Sequence, residues 1–165
     1  METARLASLI AATVTMGLVS GLFYGFAIAV MPGLKGADDR TVIEVMRRVN
    51  VAILNGWFIL GYLGAFVCTA LALTLHVPSD GRAVLPALIA ALVCYIVSMG
   101  ITNKVNIPLN NALENAGPAA AGREPAAVRR AFEGPWVRAN VWRTVLCTAS
   151  TGFLAWALYL HGRLR

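Results

Sequence analysis

The sequence predicts an all-α fold: a four-helix transmembrane bundle of up-down topology, with one interfacial amphipathic helix and a polar, asparagine-rich side. Three observations carry this expectation. Apolar residues make up 58% of the 165-residue chain and charged residues only 13%, a balance suited to a bilayer rather than to water. The apolar residues gather in four runs close to the ~20 residues that cross a hydrocarbon core. Most of the charge and nearly all the asparagine fall between the first and second runs and between the third and fourth. One membrane domain, residues 1–165, accommodates all of it.

The first run, Leu6 to Met31, is 26 residues long without a charge and predicts a helix over about 6–31. Arg5 ahead of it and Ala27-Ile28-Ala29 within it imitate a secretory signal with its cleavage site, but the run exceeds a signal core, so a retained helix is expected. Gly17, Gly21, Gly25, Ala29 and Gly33 recur every fourth residue, a small-residue stripe that lets a second helix approach closely in lipid. Packing inside the bundle is its ordinary meaning, and Gly17, Gly21 and Gly25 also offer a homo-oligomer face. Tyr24 is expected near mid-bilayer, where its hydroxyl needs a partner.

Lys35 to Asn50 carries seven charges, yet Val42, Val45, Met46 and Val49 repeat at helical spacing, which predicts an interfacial amphipathic helix over about 39–50. Thr41 with Glu44 fits a capping box at its start. The second membrane helix is expected over about 51–77, followed by a hairpin at Pro78 to Arg82, and the third over about 83–103. Gly117 to Pro125 reads as a flexible connection. Ala126 to Glu133 reads as two helical turns closed by Gly134 and Pro135, with the fourth membrane helix over about 136–160. The charge-free part of that helix, Thr144 to Leu160, has 17 residues, so Arg138, Asn140 and Arg143 fall at or just inside the interface.

The third run ends in Thr102 to Asn111, T-N-K-V-N-I-P-L-N-N. In a helix Asn103, Asn106 and Asn110 share one narrow face, and Pro108 obstructs the carbonyl of Lys104, so the helix either kinks here or ends with Asn106 capping a new one. Up-down topology brings this stretch beside Arg47, Arg48, Asn50 and Asn55 and beside Trp136, Asn140 and Arg143, so that the three clusters face one cavity. An intramembrane arginine is costly, which makes Arg143 a functional candidate; snorkelling to headgroups, or pairing with Glu133 or Glu44, is its structural alternative. Arg47, Arg48 and Arg138 suit lipid phosphate. No metal-type spacing joins Cys68, Cys94 and Cys147, and His76 and His161 lie on the terminal side, so no metal and no cofactor is expected. The bilayer is the expected partner of the net +6 charge; basic residues do not form the aromatic-interleaved face of a nucleic-acid binder.

Val30-Met31-Pro32-Gly33-Leu34, Met46 to Asn50 with Asn55, Asn106-Ile-Pro-Leu-Asn110-Asn111, and Trp136 with Asn140, Arg143 and Thr144 follow in an order that resembles the anthrone-oxygenase-like integral membrane proteins, many of whose bacterial members have no assigned function. The resemblance spans nearly the whole chain. It implies oxidation of an anthrone-like or planar phenolic lipophile by molecular oxygen, without metal or flavin. Family members often carry a histidine directly after the asparagine of the last motif, where this chain has Val141; Tyr24 is then the remaining buried base, with Glu44, Asp39 or Glu133 needing to fold in. Under this reading Arg143, Tyr24 and Asn140 are catalytic, while Asn50, Asn55, Asn103, Asn106, Asn110, Asn111, Trp57 and Trp136 bind substrate. The alternative is a non-catalytic membrane protein that binds a lipophile or serves as a partner subunit. The count of basic residues on each side places the polar loops in the cytoplasm of a bacterial plasma membrane.

Overall fold

The computed structural model describes residues 1–78, 82–118, 122 and 124–163, and among these it is all-helical, with no strand. Five helices follow one another: α1 (Glu2–Leu34), α2 (Asp39–Ala52), α3 (Gly56–His76), α4 (Arg82–Asn115) and α5 (Pro125–Arg163). All but α2 are long and apolar enough to cross a membrane. Residues 79–81 of the expected hairpin, and 119–121 and 123 of the expected flexible connection, lie outside the described residues.

One local expectation is narrowed and two are corrected. Of the two courses open at Pro108, a helix end capped by Asn106 does not occur: Thr102–Asn106 forms a π turn and the helix runs on through Ile107–Asn115, while the Asn106 side chain makes no cap bond. A wide i→i+5 turn gives the proline ring room within a continuous helix. The same device occurs in α1, where Phe26–Val30 forms a π turn just before Pro32. At the start of α2, Asp38 rather than Thr41 is the cap: its carboxylate accepts from the Thr41 backbone N–H at 3.0 Å. These bonds to Thr41 hold the exposed Asp38 carboxyl below its ordinary value. Gly134 and Pro135 do not break α5, which is one helix of 39 residues. Phe132 and Trp136, on either side of that pair, are buried in one cluster with Met31, Ile43, Met46 and Leu113, and this packing overrides the local stop signal.

In the bundle, α1 packs against α3 and α5, and α4 against α5 and α3. Leu9, Met16 and Phe23 of α1 meet Ala65 and Ala72 of α3, Leu88 and Tyr95 of α4, and Cys147 and Leu154 of α5 in the main core. Polar pairs tie helices across it: Ser20 to Thr148 at 3.0 Å, Ser98 to Cys147 at 3.3 Å, and the Ser150 hydroxyl donating to the Ala91 carbonyl at 2.9 Å. In a bilayer such bonds average about 0.6 kcal/mol each, so close packing carries most of the association. At the terminal end, Arg5 donates to the Leu75 carbonyl and His76 meets His161 at 3.3 Å. The glycine stripe is not an internal seam: a Cβ at Gly17, Gly21, Gly25 or Gly33 would meet no atom within 4 Å. The glycines that do admit α1 are on α3, where Gly61 faces Val19 and Gly64 faces Thr15.

The amphipathic α2 turns its apolar face, Val42, Ile43 and Met46, onto the bundle end and not outward. Arg47 is held there by Glu114 at 2.7 Å, whereas Arg48 pairs within its own helix with Glu44. Arg129 joins α5 to the α1–α2 corner, donating to the Ala37 carbonyl at 2.8 Å and pairing with Asp39 and Glu133.

Candidate functional site

Where α2 passes into α3, the chain covers a cavity of about 250 Å³ between the bundle helices. Phe23 and Phe26 of α1 form one wall, and Ile53, Leu54, Phe58 and Tyr62 another. The polar lining comes from Asn50, from Thr102, Asn106 and Asn110 of α4, and from Trp136 and Arg143 of α5. A small apolar chamber with a few convergent polar groups is the usual form of a small-molecule site, though this one lies just under the roughly 300 Å³ where such sites typically begin.

Arg143 dominates the electrostatics. Its residue is only 6% exposed, and its guanidinium lies 4.1 Å above the Phe23 ring centroid. Nη2 donates to Asn140 Oδ1 at 2.8 Å and Nη1 reaches Thr102 Oγ1 at 3.4 Å. Asn140 is fixed in turn, donating to the Phe23 carbonyl at 3.0 Å, at the level where α1 widens. Neither expected acidic partner is present: Glu44 pairs with Arg47 and Arg48, and Glu133 with Arg129. Among the described residues, no carboxylate forms a salt bridge with Arg143.

Among the described residues, four buried polar atoms of the cavity lining make no well-formed hydrogen bond: Asn50 Nδ2, Tyr62 Oη, Asn106 Oδ1 and Arg143 Nε. Each such atom costs about 1–3 kcal/mol when left unmet, which is unusual company for one small chamber. Trp136 is held in place by its indole N–H, which donates to Asn110 Oδ1 at 2.8 Å, and Asn106 reaches the Trp136 carbonyl at 3.5 Å.

Of the residues singled out in sequence, Asn50, Asn106, Asn110, Trp136 and Arg143 line the cavity, and Asn140 stands behind Arg143. The others do not meet them. Asn55 caps α3, accepting from the Phe58 N–H at 3.0 Å, and Asn103 turns back on the Met99 carbonyl at 2.9 Å. Asn111 is exposed. Trp57 is 85% exposed and Tyr24 52%, so Tyr24 is no buried base. Arg47 and Arg48 take part in surface pairs outside the chamber. Asn103 leaves the Asn106 face because the π turn needs more residues to complete a rotation, and three residues no longer return to the same side.

Tyr62, Phe23, Phe26 and Phe58 carry no signal in the sequence beyond their place in apolar runs, and Thr102 opens the asparagine stretch without being marked as a site residue. Val141, at the position of the family's frequent histidine, is 45% exposed and not in the lining, since one residue along an α-helix turns the side chain about 100° away from Asn140. Among the described residues no three His, Cys, Asp or Glu side chains gather as a metal site. A larger groove of about 650 Å³ runs outside, by Lys35 and Arg130, but none of the four unmet atoms belongs to it.

Nothing among curated proteins or solved structures matches the chain. The anthrone oxygenase family matches residues 52–153, which run from the end of α2 through α3 and α4 into α5 past Arg143. That is more than half of the chain, and it takes in all the polar lining of the cavity except Asn50; the chain belongs to the anthrone oxygenase family.

Proposed function

We propose that the protein oxidises a planar phenolic or anthrone-like lipophile with molecular oxygen in the cavity around Arg143. The observation that carries this reading is a buried guanidinium that pairs with no carboxylate among the described residues, surrounded by unmet donors and acceptors. A neutral, fully satisfied core has no use for that arrangement, whereas a flat ligand that becomes an anion does. Phe23, Phe26, Phe58 and Trp136 supply faces for aromatic rings, and the exposed Leu54 at the cavity edge offers access from the bilayer.

The chemistry asks little of the protein beyond binding and charge stabilisation. An anthrone methylene between two aromatic rings loses a proton to water, and the electron pair delocalises onto the carbonyl oxygen facing Arg143. The anion passes one electron to oxygen; the radicals join as a peroxide, which takes up a proton and loses water to give the quinone carbonyl. One substrate and one O₂ yield one quinone and one H₂O. Val141 does not weaken this reading, because a side chain there points away from the chamber. A polar end facing the cytoplasm of a bacterial plasma membrane is the location that the basic-residue count supports.

A second reading, a lipophile binder without chemistry, draws on the cavity lining itself, which includes no carboxylate or imidazole among the described residues. The test separates the two. Purified protein in detergent, with metals chelated, is given a hydroxylated anthrone under air, and quinone absorbance and oxygen uptake are followed. Saturable turnover that Arg143→Ala and Asn106→Ala abolish supports the oxygenase; a rate no faster than the spontaneous background, with the anthrone still bound, leaves the binder.

A further inference from the structure

Among the residues lining the cavity, Tyr62 carries the one acidic O–H, and the sequence gives no warning of it. Its ring is fixed on two sides: Phe58 stacks on it with centroids 5.4 Å apart, and Tyr95 meets it edge-on at 5.9 Å. The Tyr95 hydroxyl donates to the carbonyl of Tyr62 itself at 2.7 Å, so the backbone is held as well. At the end of this fixed ring the Tyr62 hydroxyl is buried and makes no well-formed hydrogen bond among the described residues, with the Thr102 side chain beside it as its one weak polar contact. The groups that face it are Arg143 and Cys147 of α5 and Thr102 and Tyr95 of α4; α2 contributes Asn50 to the same lining, and α1 only Phe23 and Phe26.

We propose that Tyr62 donates a hydrogen bond to the substrate oxygen on which negative charge develops, acting together with Arg143. This rests on the oxygenase reading and names the second member of its anion site. A buried phenol has a proton to give, and with only the Thr102 hydroxyl beside it on the cavity wall, a ligand oxygen is the stronger acceptor it can meet. Arg143 supplies charge, while Tyr62 supplies direction, because its rotamer is set by Phe58 and Tyr95 before any ligand arrives. The bond strengthens as the carbonyl oxygen becomes an enolate oxygen, so it acts on turnover more than on binding. Tyr62 keeps its proton throughout, and the overall balance of substrate and O₂ to quinone and water is unchanged.

The test is steady-state oxidation of a hydroxylated anthrone by the detergent-purified protein and by Tyr62→Phe, with an intact melting transition as the control for folding. The expected result is a fall in kcat of about 100-fold, the usual effect of losing one oxyanion donor, with KM nearly unchanged. A ring-fluorinated tyrosine placed at position 62 preserves ring and hydroxyl and decides the matter if Tyr62→Phe does not fold. Its more acidic phenol should move the alkaline limb of kcat to lower pH, an effect that a purely structural ring would not produce. Unchanged kcat in Tyr62→Phe, or an unmoved limb, overturns the role of Tyr62 while leaving the oxygenase reading in place. No turnover by the unsubstituted protein overturns both.

Discussion

Arg143→Met asks whether the guanidinium is kept for a ligand or for the fold, and its effect can be worked from the contacts. The substitution forfeits the 2.8 Å bond to Asn140, which as a bond to a charged group is about 1.5–3 kcal/mol. It also forfeits the contact over Phe23 at 4.1 Å, about 2 kcal/mol in a desolvated setting. Against this, it ends the burial of a cation that no carboxylate among the described residues compensates, a penalty of several kcal/mol. The two sides nearly offset, so the ligand-free protein should lose no more than about 2 kcal/mol. For a chain of this size that is a melting shift of less than about 8 °C. Turnover should fall at least about 100-fold. The assay is a pair of melts in detergent, with and without a saturating anthraquinone, beside the anthrone oxidation rate. At a hundredfold excess over its dissociation constant, the ligand should stabilise the unsubstituted protein by about 2.7 kcal/mol and the variant hardly at all. A loss of about 3–5 kcal/mol with ligand stabilisation intact, the pattern of a broken structural ion pair, would refute the reasoning.

Tyr62→Phe removes a buried hydroxyl that makes no well-formed hydrogen bond among the described residues, so the ligand-free protein should melt no lower than the unsubstituted one, even as activity is lost. Asn106→Leu removes an unmet acceptor from the chamber and should weaken an anthraquinone or phenol about tenfold, roughly 1.4 kcal/mol, by calorimetric titration; unaltered affinity would take Asn106 out of the site. A Cβ at Gly21 would meet no packed neighbour within 4 Å among the described residues, so in Gly21→Ile the melt should be unaltered while any homo-oligomer through Gly17, Gly21 and Gly25 dissociates, as read by light scattering in detergent.

The fold was legible because bilayer thickness leaves a coarse mark: four long apolar runs and an amphipathic Val42–Val49 segment survive any error in helix boundaries. The site was legible in part, for asparagines and an arginine in an apolar chain announce themselves. Tyr62 did not, because one tyrosine in an apolar run has the same appearance whether its hydroxyl meets a carbonyl, a headgroup or a cavity. Trp57 and Tyr24 misled for the complementary reason, since an aromatic at a helix end or mid-helix serves the lipid face as well as a ligand. Gly134-Pro135 misled because burial of Phe132 and Trp136 outweighs a local stop, and long-range packing of that kind is invisible in a window of ten residues.

The π turn at Thr102–Asn106 makes the chamber a matter of residue count as well as residue type. Relative to a plain α-helix, such a turn holds one surplus residue, and every side chain beyond it is rotated by about 100°. Inserting a single alanine between Pro108 and Leu109, in the plain α-helix beyond the wide turn, would swing Asn110 about 100° out of the lining without changing any residue that lines it. Each asparagine would still be present in the sequence, yet the set that faces Arg143 would be different. A single codon of length in α4 is therefore as strong a determinant of what this bundle can bind as any side chain in its wall.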